Sequence, residues 1–241
     1  MLIELKRISK IYNEGRESEV RALDDVSLTI EKGEFTAILG QSGSGKSTMM
    51  NILGCLDIPT YGEYWLEEEN VSNIPPRRLA AIRNRNIGFI FQGFNLIPAL
   101  TALENVELPL VYRGMPHSQR HELSVAALES VGLGERMDHR PSELSGGQQQ
   151  RVAIARAIAA KPPVIMADEP TGNLDTKAGA EIMLKLCALN DEGTTILLIT
   201  HDMQLAHMAK RIVRLQDGKI ISDETPSARE REIVLEEVAR R

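Results

Sequence analysis

The residues with the plainest chemistry are Gly40-Gln41-Ser42-Gly43-Ser44-Gly45-Lys46-Ser47-Thr48. They fit the spacing G-x-x-x-x-G-K-[ST], a loop whose backbone N–H groups cradle phosphate oxygens. Its glycines let the chain turn tightly and approach a ligand closely. Lys46 would set a cation on the β- and γ-phosphates, and the Ser47 hydroxyl would bind Mg²⁺. The plain alternative is a glycine-rich turn with a chance lysine. The flanks argue against it, because residues 35–39 are an apolar run of strand length and residues 48–53 read as a helix. A strand, a glycine loop and a helix N-terminus make an anion site, since free N–H groups and the helix dipole both face the ligand. Such a loop serves a kinase, a GTPase or a transport ATPase equally well.

Other polar groups fall at the ends of apolar runs. Residues 164–167 run into Asp168-Glu169-Pro170. Carboxylates at the C-terminal end of a parallel strand lie where α/β sheets bind ligands. Asp168 fits a Mg²⁺-organising carboxylate, and Glu169 is placed to act on water. A carboxylate pair alone is usually a solvated strand end, and the phosphate loop tips the balance toward function. Residues 195–199 end at Thr200-His201-Asp202, and residues 87–91 end at Gln92. A lone histidine is more often structural, yet His201 is expected on the same edge as Gln92 and Asp168. Ser145-Gly146-Gly147-Gln148 opens an alanine-rich helix over 149–160 and offers a second helix start with free N–H groups. The plain alternative there is Ser145 as a cap that only closes the first turn. Tyr12 ends a first strand over 3–12. It packs at an edge or stacks its flat ring on a base, and spacing does not choose between them.

These groups need a frame, and the rest of the chain supplies one. Val26, Leu28 and Ile30 alternate with Ser27 and Thr29, the period of a half-buried strand. The opening thus reads as antiparallel strands feeding the loop. Tyr64-Trp65-Leu66 is a short strand, 67–76 a polar connector and 77–84 an arginine-bearing helix. Residues 103–132 keep helical spacing with no strand between. Residues 94–100 are apolar for a loop, so they are tucked into a core or exposed for a partner. Residues 176–191 are helical. Asp217-Gly218, between residues 211–216 and 220–222, signals a hairpin. Thr225-Pro226 reads as a cap and first-turn proline opening a last charged helix.

The totals bound the answer. A chain of 241 residues, 42% hydrophobic, suits one large domain with a substantial core. A net charge of −6 gives no electrostatic reason to expect nucleic acid as a partner. The first residues lack the apolar core of a signal peptide, and no run approaches the ~20 residues that span a bilayer. Cys55 and Cys187 sit in helical patterns as small buried hydrophobes. The expectation is a soluble cytoplasmic protein.

Taken together these residues resemble the ATP-binding cassette (ABC) ATPases. The most specific stretch is Leu144-Ser145-Gly146-Gly147-Gln148, similar to the family's signature sequence, followed by Gln149-Gln150-Arg151-Val152-Ala153-Ile154-Ala155-Arg156-Ala157. The family's aromatic residue near the first strand is matched by Tyr12 and its strand-end glutamine by Gln92. Its Mg²⁺ aspartate and neighbouring glutamate are matched by Asp168 and Glu169. Its D-loop is matched by Gly172-Asn173-Leu174-Asp175, and its switch histidine by His201. All appear in family order, and the resemblance covers nearly the whole chain.

The resemblance implies an α/β phosphate-loop NTPase fold of the ABC type. It has a mainly parallel core sheet, an antiparallel β subdomain and an inserted α-helical subdomain. One domain would fill residues 1–241: core and antiparallel subdomain over 1–92 and 160–223, helical subdomain over 93–159, and a C-terminal helix over 224–241. It also implies ATP and Mg²⁺ as cofactors. Residues 40–48 would hold phosphates and Tyr12 the base, with Ser47, Gln92 and Asp168 toward the metal. Glu169, His201, Gln92 and Lys46 would serve hydrolysis. Two copies would close head to tail on ATP, so that Ser145, Gly146, Gly147 and Gln148 of one face the nucleotide of the other. Asp175 would act across that interface.

A finer resemblance, to the lipoprotein-releasing and macrolide-exporter ATPases, rests on three stretches. They are Phe91-Gln92-Gly93-Phe94-Asn95-Leu96-Ile97-Pro98, Glu104-Asn105-Val106-Glu107-Leu108-Pro109-Leu110 and Asp168-Glu169-Pro170-Thr171-Gly172-Asn173-Leu174-Asp175. It implies a separate membrane permease as partner, a periplasmic or extracytoplasmic adaptor reached through it, and a place on the inner face of the cell membrane. Haem-efflux and antimicrobial-peptide-resistance ATPases carry similar motifs, and so do nutrient importers. Soluble DNA-repair or translation relatives usually add coiled coils or a second cassette, and this chain shows one phosphate loop, one signature and no heptad stretch.

Overall fold

The computed structural model describes residues 1–240. Among these residues ten strands form two sheets. The first is antiparallel, in the order β2-β1-β4-β5, from β1 (Ile3–Tyr12), β2 (Val20–Ile30), β4 (Tyr61–Leu66) and β5 (Glu69–Asn70). The second has the order β10-β9-β3-β8-β7-β6, from β3 (Phe35–Leu39), β6 (Ile87–Phe91), β7 (Val164–Asp168), β8 (Thr195–Thr200), β9 (Arg211–Gln216) and β10 (Lys219–Glu224). Its strands are parallel except β10, which folds back on β9 through the expected Asp217-Gly218 hairpin.

Every residue of β3 and β8 is buried. A parallel strand covered on both faces needs a near-continuous apolar run rather than an alternating one, and residues 35–39, with Thr36 among them, and residues 196–199 supply it. Alternate side chains still part to opposite faces. Phe35, Ala37, Ile196, Leu198, Ile165 and Ala167 join one core with α3 (Ala102–Tyr112), α4 (His117–Ser130), α5 (Gly146–Ile158) and α6 (Thr176–Asp191). Ile38, Leu197, Ile199, Val164 and Met166 join another with α1 (Lys46–Leu53), α2 (Pro76–Asn86) and the antiparallel sheet. The parallel sheet is therefore the middle layer, and its buried strands β3, β8 and β7 present polar groups to solvent chiefly at their ends. No helix among the described residues is long and apolar enough to cross a membrane.

Several expected elements differ in detail. The helical stretch 103–132 is two helices, parted at Arg113-Gly114-Met115-Pro116, where Gly114 takes φ +73° and Pro116 caps α4. The connector 67–76 contains the short strand β5. The last helix, α8 (Ala228–Ala239), is not opened by Thr225-Pro226. Ser227 caps it in a reciprocal box with Glu230, which satisfies two backbone donors that proline chemistry cannot. A four-residue helix, α7 (Met203–Ala206), follows His201 and is capped by Asp202.

Candidate active site

Strand register gathers the sequence-predicted groups. Leu39 pairs with Thr200, Ile199 with Asp168, and Asp168 with Phe91. The glycine loop, His201, the Asp168-Glu169 pair and Gln92 therefore leave one edge of the sheet within a residue of each other, at its carboxyl end.

The loop is built for close approach. Gly45 takes φ +102°, and a Cβ there would meet the Ala22 carbonyl at 2.6 Å, so only glycine fits. It caps α1 without any side-chain hydrogen bond, which leaves the first helical N–H groups to face the loop. Lys46 Nζ spans the mouth, donating to the carbonyls of Gly40 at 2.6 Å and Gln41 at 2.7 Å. Ser44 is buried, and its carbonyl accepts from Gly218 N–H at 3.0 Å, fastening the loop to the β9–β10 hairpin. Gly40, Gln41, Ser42, Ser44, His201 and Asp217 line a cavity of about 440 Å³. Gly43 is exposed on the loop, and in the first turn of α1 Ser47 is exposed and Thr48 half-buried.

Glu169 is held from three sides. Its Oε1 accepts from the His201 backbone N–H at 2.9 Å and lies 2.6 Å from His201 Nδ1, while Oε2 accepts from Thr200 Oγ1 at 3.2 Å. With Nδ1 donating, Nε2 points away from the carboxylate, and the ring is 70% exposed while Glu169 is 17% exposed. Burial pushes the Asp168 carboxyl above its ordinary range, Glu169 adds to that, and Lys46 opposes it. Gln92 is exposed, with Nε2 3.4 Å from Asn173 Oδ1, and Asn173 Nδ2 donates to the Gln92 carbonyl at 3.0 Å. The strand-end glutamine thus touches the Gly172–Asp175 turn, a contact between residues 81 apart that spacing gives no sign of.

Ser145 does cap α5. Its Oγ accepts from Gln148 N–H at 3.3 Å, and Gln148 Oε1 accepts from Ser145 N–H at 2.8 Å, so the Gln148 side chain is engaged at the helix start. Ser145, Gly146, Gly147, Asn173 and Asp175 line a second cavity of about 320 Å³. It shares no lining residue with the cavity at the glycine loop. Asp175 accepts from Ala178 N–H at 2.9 Å and caps α6. Tyr12 is 36% exposed at the end of β1, outside both cores, with Lys10 Nζ 5.2 Å from its ring centre. Thr200 and Asn173 hold Glu169 and Gln92, and the sequence signals them only by place: Thr200 precedes His201, and Asn173 lies within the Gly172–Asp175 stretch.

A family model described as "ABC transporter" matches residues 23–172. The chain belongs to the ABC transporter ATPase family. It is 55% identical over 222 residues to a macrolide export ATP-binding/permease protein, MacB, of Hyphomonas neptunium, covering 92% of this chain and 34% of that one. It therefore spans about a third of that fused relative. It is 53% identical to an uncharacterized ABC transporter ATP-binding protein, YknY, of Bacillus subtilis, covering 91% of this chain and 95% of that one. Among solved structures it is similar to the bacterial cassette MJ0796 in its dimeric form. The TM-score is 0.86 and the identity 47%, covering 94% of this chain and 100% of that one. A post-hydrolysis dimer of MJ0796 with ADP and Pi fits equally, at TM-score 0.86 and 46% identity.

The chain is thus an ATP-binding ATPase, and its fold is the ABC cassette. The edge suits ATP with Mg²⁺, because the free N–H groups of α1 and Lys46 meet anions while the Ser47 hydroxyl and Asp168 carboxylate are hard oxygen donors. When bound, Mg²⁺ neutralises charge on the β- and γ-phosphates.

Proposed function

We propose that two copies of this chain close head to tail on ATP and power an exporter permease of the lipoprotein-release or macrolide-efflux type at the inner face of the cell membrane. The observation that carries the reading is the separation of the two helix-start cavities within one copy. The signature helix opens on a cavity that shares no lining residue with its own chain's phosphate site, and in this reading its N–H groups serve a second copy's γ-phosphate. Residues 40–48 hold the phosphates and Tyr12 the base. Ser47, Asp168 and Gln92 face the metal, and Asp175 works across the interface. Glu169 accepts the proton of the attacking water, His201 holds that carboxylate in place, and Lys46 with the signature N–H groups stabilises the charge on the transferring phosphoryl.

The permease contact falls in a groove of about 870 Å³ between the core and the helical layer. Its apolar lining includes Phe89, Phe91, Leu108 and, at 76% exposure, Tyr112. Arg77, Arg83, Arg85, Arg113 and Arg156 line it with no aspartate or glutamate among the lining residues, although the chain as a whole carries −6. A short cytoplasmic segment of the permease with apolar and acidic side chains complements this surface. A separate permease, and an extracytoplasmic adaptor reached through it, complete the assembly.

The test is Ser145→Arg. Nucleotide affinity of the isolated chain stays unchanged and hydrolysis is abolished, measured by fluorescence titration and phosphate release. Loss of binding by the single copy would place Ser145 in its own chain's site and end the head-to-tail reading.

A further inference from the structure

Gln150 has no part in the mechanism above, yet its contacts join the mechanism's pieces. It lies on α5 behind the signature residues, and its side chain is fully buried. Its Nε2 donates to the Pro170 carbonyl at 2.6 Å and to the Phe91 carbonyl at 3.4 Å. Phe91 immediately precedes Gln92, and Pro170 immediately follows Glu169. Two carbonyl acceptors fix the orientation of the amide, since only its NH₂ end can satisfy both. Its Oε1 is buried with no hydrogen-bond partner. The amide therefore leaves one buried oxygen unpartnered while it supplies the donor that the two carbonyls need. Further along the same helix, Arg156 donates to the carbonyls of Phe94 and Asn95. One helix therefore grips the Gln92 loop from both ends and the Glu169 turn as well.

We propose that Gln150 is a positioning residue for ATP hydrolysis. It ties the helix whose start faces the partner copy's nucleotide to the backbone on which Gln92 and Glu169 are mounted. Closure of the dimer, felt by α5 at Ser145-Gly146-Gly147, is delivered through this amide to both strand ends. The proposal rests on the head-to-tail reading and on the roles given to Gln92 and Glu169.

The experiment compares Gln150→Met, Gln150→Glu and Glu169→Gln in the full chain. Gln150→Met keeps the volume and removes the donor. Its kcat falls by about 10- to 100-fold, the effect of small misplacement at a reacting centre. Its nucleotide affinity and ATP-driven dimer stay close to those of the wild type, and its melting temperature falls only by the few degrees that an unpaired carbonyl costs. A wild-type kcat in the folded variant overturns the proposal. Should Gln150→Met fail to fold, Gln150→Glu decides. A carboxylate cannot donate to the two carbonyls, whereas the protonated acid gives one O–H to Pro170. The ratio of variant to wild-type kcat therefore rises as pH is lowered from about 8 to about 6, since burial raises a carboxyl's pKa. A flat ratio overturns the tether, because a loss of packing alone does not titrate. Slow Glu169→Gln beside normal Gln150→Met removes the tether only. Normal hydrolysis by Glu169→Gln removes the reading of the site, and the tether with it.

Discussion

Glu169 sits at φ +43°, in the left-handed region that a non-glycine residue enters at a cost. Its N–H bonds the Ile199 carbonyl at 2.9 Å, and its carboxylate is held by Thr200 and His201. That backbone turn aims the carboxylate off the end of β7, toward the edge that carries the phosphate loop. Glu169→Gln keeps the shape and removes the proposed base. Hydrolysis slows by at least ~10²-fold, the lower range for losing a general base, while ATP binding persists and an ATP-bound dimer accumulates. Single-turnover kinetics with gel filtration check both. Asp168 makes a different prediction. Its carboxyl pKa is raised in the fold by burial and then by Glu169, so ionisation weakens the folded state. Its contribution to stability is full below the ordinary carboxylate range and is lost as pH rises through the raised value. Asp168→Asn therefore stabilises the nucleotide-free chain at neutral pH while it abolishes Mg²⁺-dependent hydrolysis. A gain of about 1 kcal/mol would lift Tm by about 2–4 °C in a chain of this size. Thermal melting at pH ~7 checks it, and a lowered Tm would show that the carboxylate is favourably paired there.

Among the elements, the loop 94–100 shows how one segment can serve core and surface together. Leu96 packs against the helical core, while Ile97 is 41% exposed. Buried Asn105 fixes the loop between them: its Oδ1 accepts from Ile97 N–H at 2.7 Å, and its Nδ2 donates to Ile97, Leu100 and Thr101 carbonyls. Arg156, whose guanidinium burial pushes down to about 10, holds Phe94 and Asn95, both at positive φ. A loop this firmly held presents its outward residues as a rigid surface. Asn95 of this loop lines the groove proposed for the permease, and Ile97 stands two residues beyond it. Ile97→Arg accordingly leaves melting temperature and nucleotide affinity unchanged and breaks association with the permease. A pull-down with the permease, run beside melting and nucleotide titration, checks it. Normal pull-down with an intact fold would move the permease contact elsewhere.

At the scale of the whole molecule, the head-to-tail proposal gives one copy two halves of different sites. It assigns the phosphate loop and its sheet edge, which line one cavity, to one half-site and the start of α5, which lines another, to the second. Two inactive variants should then repair each other. Lys46→Ala loses the phosphate half and Ser145→Arg the signature half, so a mixed dimer has one site with both halves intact. An equal mixture recovers about a quarter of wild-type hydrolysis, since half the dimers are mixed and one of their two sites is whole. Steady-state ATPase assays of the separate and mixed variants check this. No recovery in a mixture that still forms ATP-dependent dimers would mean that the two sites fire only as a pair.

The sequence by itself determined the local chemistry of this protein. Thr176–Asp191 is helical over the bounds its pattern shows, and the runs at β3, β6, β7 and β8 end at the polar groups expected of them. Such features depend on near neighbours: side-chain period, caps and turn residues act within a few positions. The Gly114-Met115-Pro116 break was legible in the same terms, although the helical spacing on either side masked it. Tertiary structure alone decided which ends stand side by side. The order β9-β3-β8-β7-β6 is not the order of the chain, and Glu169 meets a histidine 32 residues on. Gln150 reads in sequence as one more polar residue of a helix, yet it reaches carbonyls 20 and 59 residues away. Periodicity says which face of an element is buried, but not which element lies across from it. That choice comes from packing distant surfaces together, and here it sets both the shared edge of the strand ends and the two cavities with different linings.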